Sequence, residues 1–162
     1  MFLALSWAAA ACEFLYLGEG ESIYSVELQV SNGDTELHLM FGQDQQPEDR
    51  IRVSPPPPPE GAFHSWFQRS DGEYLADYRQ YDVAEVIWEL HFQSAGSDEI
   101  ILNWSIEIEE MDGAISLLDD EGLMLVSDIS ETDHFQFTAS EIDYLHFFYR
   151  IEGTPIEEES DE

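Results

Sequence analysis

The strongest constraint on this chain is a spacing. Short runs in which apolar and polar residues alternate recur every ~8–14 positions, separated by turn residues. A strand sends successive side chains to opposite faces, so period-two alternation specifies half-buried strands. Residues 23–30 place Tyr24, Val26, Leu28 and Val30 on one face, and residues 35–41 do the same with Leu37, Leu39 and Phe41. Between them Ser31-Asn32-Gly33-Asp34 reads as a hairpin turn, because Asn-Gly tolerates positive φ. The cleanest alternation lies in 86–93, with Val86, Trp88, Leu90 and Phe92 inward, and in 100–108, with Ile100, Leu102, Trp104, Ile106 and Ile108 inward. Further strands are expected at 62–69, 73–80, 114–119, 123–128, 133–138 and 144–151. Nine or ten strands with hairpin-length connections predict an all-β, mostly antiparallel β-sandwich, immunoglobulin-like or jelly-roll, with an extended N-terminal arm.

Composition bears on partners more than on fold. Among 162 residues, 36 are Asp or Glu and 5 are Arg, with no Lys, for a formal charge of −31. A surface so acidic excludes nucleic acid, whose binding requires basic groups to displace phosphate counterions. It equally opposes anionic membrane surfaces. Hydrophobic residues at 43% are enough for a real core. The single cysteine, Cys12, excludes an intrachain disulfide.

Three regions follow: an apolar arm with a glycine hinge over 1–20, a sandwich domain over 21–153, and an acidic tail over 154–162. Met1 to Cys12 resembles a secretion signal in its small residues before cysteine, but lacks a positive leading region. The apolar run to Leu17 is interrupted by Ser6 and Glu13 and is too short to span a bilayer. Pro55 to Pro59 are five consecutive prolines. They enforce an extended polyproline conformation without amide donors, which suits an edge segment or a rigid connector, or else a docking site for a proline-reading module.

One ordered set of elements resembles a known family. Phe41-Gly42 is followed by a polar loop, Pro55 to Pro59, Gly61 and Phe63 to Phe67. Asp77-Tyr78-Arg79, Ile87-Trp88-Glu89-Leu90, Ile101-Leu102-Asn103-Trp104 and Ser116 to Gly122 come after. Over residues 23–153 this pattern resembles immunoglobulin-like β-sandwich modules of large secreted bacterial proteins. The resemblance implies a sandwich fold and an extracellular or cell-surface setting, and brings no catalytic residues with it.

The chemistry-bearing residues are scattered. His38, His64, His91, His134 and His146 stand singly among strands, without metal-ligand spacing. No G-x-S-x-G context accompanies any serine. Catalytic residues are therefore not expected, and the chain reads as a non-enzyme. Three weaker sites remain. Asp119, Asp120 and Glu121 in one turn, and Asp44, Glu48 and Asp49 in another loop, present oxygens that suit Ca²⁺. Trp66, Tyr74 and Tyr78, with Tyr81, are candidates for stacking on a glycan, although such rings more often belong to a core. Asn103-Trp104-Ser105 matches the N-glycosylation acceptor pattern.

The arm carries the main functional expectation. Leu3, Leu5 and Trp7 alternate with Phe2, Ala4 and Ser6, and Phe14, Leu15 and Leu17 precede a Gly18-Glu19-Gly20-Glu21 break. An apolar segment on a glycine hinge must pack somewhere, on its own domain or on a neighbour. Donated as a strand and repeated head to tail, it would build an open homopolymer. The expectation is thus a subunit of a filament or surface assembly joined by N-terminal strand donation. The alternative is a carbohydrate- or calcium-binding module of a larger secreted protein.

Overall fold

A computed structural model of the chain describes residues 22–49, 59–94 and 98–151. Within them the chain forms eleven strands. These are β1 (Ser22–Ser31), β2 (Glu36–Asp44), β3 (His64–Arg69), β4 (Gly72–Tyr74), β5 (Ala76–Gln80), β6 (Glu85–Gln93), β7 (Glu99–Ile108), β8 (Gly113–Leu118), β9 (Met124–Val126), β10 (His134–Thr138) and β11 (Tyr144–Ile151). They make an all-β sandwich of two sheets, ordered β10-β7-β1-β2-β5 and β4-β3-β6-β11-β8-β9. Every strand pair is antiparallel except β2 with β5.

The alternation read from the sequence becomes the core. Tyr24, Val26, Leu28 and Val30 from β1 and Ile100, Leu102 and Trp104 from β7 face Val86, Trp88 and Leu90 from β6 and Leu145, Phe147 and Tyr149 from β11. Phe41 sits where the sheets meet. Its ring lies 4.8 Å from Trp88, 4.7 Å from Phe147 and 5.5 Å from Phe67, all on the opposite sheet. The β1–β2 hairpin closes as expected, with Asn32 Oδ1 accepting from the backbone amides of Asp34 and Thr35 and Gly33 at φ 94°.

Two expected features change. The run 73–80 is two strands on different sheets. β4 pairs with β3, whereas β5 crosses over and lies parallel to β2. The Met40 amide donates to the Leu75 carbonyl at the crossing. The chain arrives there already running in the direction of β2, so the pairing is parallel. The connection from β6 to β7 also passes between sheets and is no hairpin, because each strand has other neighbours on both sides.

The crossing is clipped by charge. Asp77 on β5 has a fully buried side chain that accepts from Arg79 Nε at 2.8 Å and Arg79 Nη2 at 2.9 Å. Its Oδ1 also accepts from Arg69 Nη1 at 2.9 Å, and Arg69 belongs to β3 on the other sheet. Trp88 on β6 donates its indole N–H to the Asp77 carbonyl at 3.0 Å. One aspartate thereby ties both sheets, and its buried charge is compensated by two guanidinium groups.

Candidate functional site

β7 changes surroundings halfway along. On one side it pairs with β1 from Ile101 to Ile108. On the other side β10 accompanies it only from Glu99 to Asn103. The Trp104 amide next donates to the Asp133 carbonyl at 2.9 Å. Backbone groups alternate sides along a strand, so Ile106 and Ile108 turn their N–H and C=O groups toward the side that β10 has left. The Glu109 amide bonding to Ile23 on the β1 side fits the same alternation. Among the described residues, none pairs with residues 105–108 on that edge.

The edge borders a groove of about 340 Å³, lined by Trp104, Ile106, Ile108, Ile129, Ser130, Thr132 and Asp133. Its floor is held in place by Trp104, whose indole N–H is shared between the carbonyls of Ile129 and Thr132, each at 2.8 Å. A 3-10 turn over Ile129–Glu131, capped by Asp128, supplies the buried Ile129. Ile108 is 53% exposed although it continues the inward series of β7. The sandwich is open here. Among the described residues, backbone without a strand partner and partly exposed apolar side chains lie side by side here, the combination that accepts an added strand.

A second feature occupies the outer face of the six-stranded sheet. His64, Trp66, His91, Tyr144 and His146 form a row across β3, β6 and β11. Trp66 stacks on His64 at 5.5 Å and on His91 at 5.8 Å, His91 stacks on Tyr144 at 5.0 Å, and Tyr144 meets His146 at 5.2 Å. The strand register creates this, because Trp66 and Tyr144 both lie opposite His91. Glu89 holds the row, with one oxygen 2.5 Å from His91 Nε2 and the other 3.8 Å from His146 Nε2. His64 is buried, and its Nε2 has no hydrogen-bond partner among the described residues. Burial lowers the His64 pKa below its ordinary 6.5, with the Glu73 charge acting in the opposite direction. Burial also raises the phenol pKa values of Tyr24 and Tyr149.

The residues singled out from sequence fall as follows. Asn103 is exposed on β7 beside the buried Trp104, as its alternation required. Trp66 is half-buried in the ring row, stacked on both His64 and His91. Tyr74 is half-buried, with Arg69 6.0 Å from its ring centroid. Tyr78 is 2% exposed and shares a hydrogen bond with Ser25 at 2.7 Å, which corrects its reading as an exposed platform. It packs with Met40 and Ala76 on the outer face of the five-stranded sheet. The three tyrosine and tryptophan positions therefore do not converge.

The acidic turn is likewise occupied. Asp119 Oδ1 accepts from the amides of Glu121 and Leu123 at 3.0 and 2.8 Å, shaping the turn around Gly122. Asp44 is buried and accepts from the Gln46 amide, while Glu48 is exposed. Among the described residues, no cluster of three His, Cys, Asp or Glu side chains is placed to hold a metal ion. The arm residues Phe2, Leu3, Leu5, Trp7, Phe14, Leu15 and Leu17 lie outside the described residues, as do Pro55 to Pro58 and the acidic tail. No described helix is long and apolar enough to cross a membrane.

Sequence reading missed the ring row and the open edge. The row arises from strand order, which joins three distant segments. The edge carried one signal, an inward apolar series on β7 that outlasts the five residues of β10. No family model, curated protein or solved structure matches this chain.

Proposed function

We propose that the protein is a non-enzymatic structural subunit of an extracellular or cell-surface assembly, and that it self-associates through its N-terminal arm. The observation that carries this reading is the edge of β7 over residues 105–108, unpaired among the described residues, with its groove. Such an edge is a template for pairing, and natural sandwiches cover, charge or twist theirs. This one is lined by Ile106, Ile108 and Ile129 together with Ser130, Thr132 and Asp133. The same chain carries an apolar, alternating arm that requires a partner. A head-to-tail contact of arm with edge yields a fibre when its rotation does not close a ring.

The immunoglobulin-like resemblance supports the extracellular setting. The rival reading, a glycan or Ca²⁺ module, has less behind it: Trp66 is stacked on His64 and His91, Tyr78 is buried and Asp119 is engaged with its own turn. Removal of residues 1–18 tests the proposal. Light scattering and negative-stain imaging of the full chain at high salt should show elongated particles, and the truncated chain should be monomeric. Particles that persist without the arm would refute strand donation.

A further inference from the structure

We infer that a cavity at one end of the sandwich binds a primary alkylammonium group, at a site separate from the β7 edge and independent of the assembly reading. The cavity measures about 160 Å³ and lies where the β5–β6 turn and the β7–β8 connection meet the ends of β1 and β11. Two buried rings, Tyr24 and Tyr149, stand in its wall with centroids 5.5 Å apart. Tyr81, 47% exposed, adds a third ring from the β5–β6 turn. Asp82, Glu110 and Asp112 bring three exposed carboxylates. Among the described residues, no basic side chain lines it.

The fold fixes these walls. The Glu109 and Glu110 amides both donate to the Ile23 carbonyl, at 2.7 and 3.0 Å, and hold the β7–β8 connection against β1. The Tyr24 hydroxyl is engaged, donating to Gln43 Oε1 at 2.6 Å. Gln43 Nε2 in turn donates to the Gln80 and Val83 carbonyls, at 2.8 and 3.1 Å. Tyr149 differs. It is 4% exposed and lines the cavity, and its hydroxyl has no hydrogen-bond partner among the described residues. A buried phenol ordinarily finds one, so this hydroxyl points to a ligand. Burial, and secondly the Asp112 charge, raise its pKa. The phenol is therefore neutral at ordinary pH and offers a lone pair beside a carboxylate.

The lining selects the ligand. Carboxylates without basic neighbours call for a cation. They do not gather into a group able to hold a metal ion, which disfavours a hard cation that needs several oxygens at once. Tyrosine faces attract a cation within about 6 Å. The Tyr149 hydroxyl accepts from an N–H, which a quaternary ammonium lacks. Ile23, Met111 and Ile151 complete the wall and suit a short alkyl chain. A cavity of about 150 Å³ holds a molecule the size of benzene, so about five to seven non-hydrogen atoms fit. The chain has no lysine, so a second copy does not supply one. The source is a free amine or a lysine of a different protein.

The full chain is titrated with butylammonium chloride, with NaCl holding the ionic strength constant, and followed by amide NMR shifts. The shifts should saturate with a Kd on the order of 1 mM and centre on Tyr24, Asp82, Asp112 and Tyr149. Tyr149→Phe removes only the hydroxyl. It should weaken butylammonium on the order of tenfold and leave tetramethylammonium unchanged. Asp112→Asn, at an exposed position that preserves folding, should weaken both by about threefold. A blocked Gly-Lys-Gly peptide separates the sources: binding as tight as butylammonium supports a lysine side chain, and its failure beside butylammonium binding supports a free amine. Equal shifts with 1-butanol would overturn the cation. Butylammonium binding untouched by Tyr149→Phe would overturn the choice of a primary ammonium. Shifts that never saturate and spread over the acidic surface would overturn the site.

Discussion

Replacing Asp77 by Asn should destabilise the sandwich by about 3 kcal/mol. The substitution keeps the volume and removes the charge that two arginines share. Removing one partner of a buried, hydrogen-bonded ion pair costs roughly 3–5 kcal/mol, because the remaining charge is left uncompensated. Here the remaining charges are Arg69 and Arg79, with side chains 20% and 28% exposed, so water partly recovers them and the low end applies. The Asp77 side chain itself is 0% exposed, so Asn can relieve the loss only by accepting one guanidinium bond with its carbonyl oxygen. In urea the slope for a domain of this size is about 2 kcal/mol per molar, so the midpoint should fall by about 1.5 M with an unchanged slope. Arg69→Leu, and the double variant with Asp77→Asn, complete a cycle. The double variant should lose less stability than the two single losses summed, since both singles break the Arg69 contact that joins the two sheets. A loss below about 1 kcal/mol for Asp77→Asn would refute the clip as a stabilising element, placing it with exposed pairs of small net worth.

Three other outcomes follow from the geometry. Gly42→Ala should cost roughly 1–3 kcal/mol by urea denaturation, because a Cβ there would lie 2.1 Å from the Tyr24 carbonyl oxygen on the neighbouring strand. Burial lowers the His64 pKa below 6.5, so the unfolded chain takes up a proton that the folded chain resists. That contribution is complete above the unfolded value and is lost as pH falls toward the folded one. The urea midpoint should therefore drop between about pH 7.5 and 5.5, and His64→Gln should flatten the drop. Finally, a charge of −31 repels like subunits, so sedimentation should show association growing as NaCl rises and screens it.

The inward faces of β1, β2, β6 and β7 were legible because period-two alternation is a local property, and burial simply enforces it. The Asn32-Gly33 hairpin was legible for the same reason. What lay beyond reach was pairing across long separations. Residues 73–80 read as one run, yet Leu75 is the point where the chain leaves one sheet for the other. Tyr78 looked like a surface ring because its own strand is polar, and only the parallel partner β2 places it against Met40 and Ser25. The ring row depends on β3, β6 and β11 lying side by side. The open edge was hinted at by the long apolar series in β7, but its meaning required the end point of β10.

The position of β1 at the middle of the five-stranded sheet sets a timetable for synthesis. Its hairpin partner β2 follows at once, but its other neighbour pairs Tyr24 with Ile108, on a segment that emerges some 64 residues after Asp44. At ~5–20 residues per second that interval lasts about 3–13 seconds. For most of it the apolar face of the first hairpin has neither β7 beside it nor β6 above it, and β11 follows later still. A nascent chain of this kind presents its stickiest surface early and its cover late, so its yield should depend on chaperone supply and temperature more than the stability of the finished sandwich would suggest.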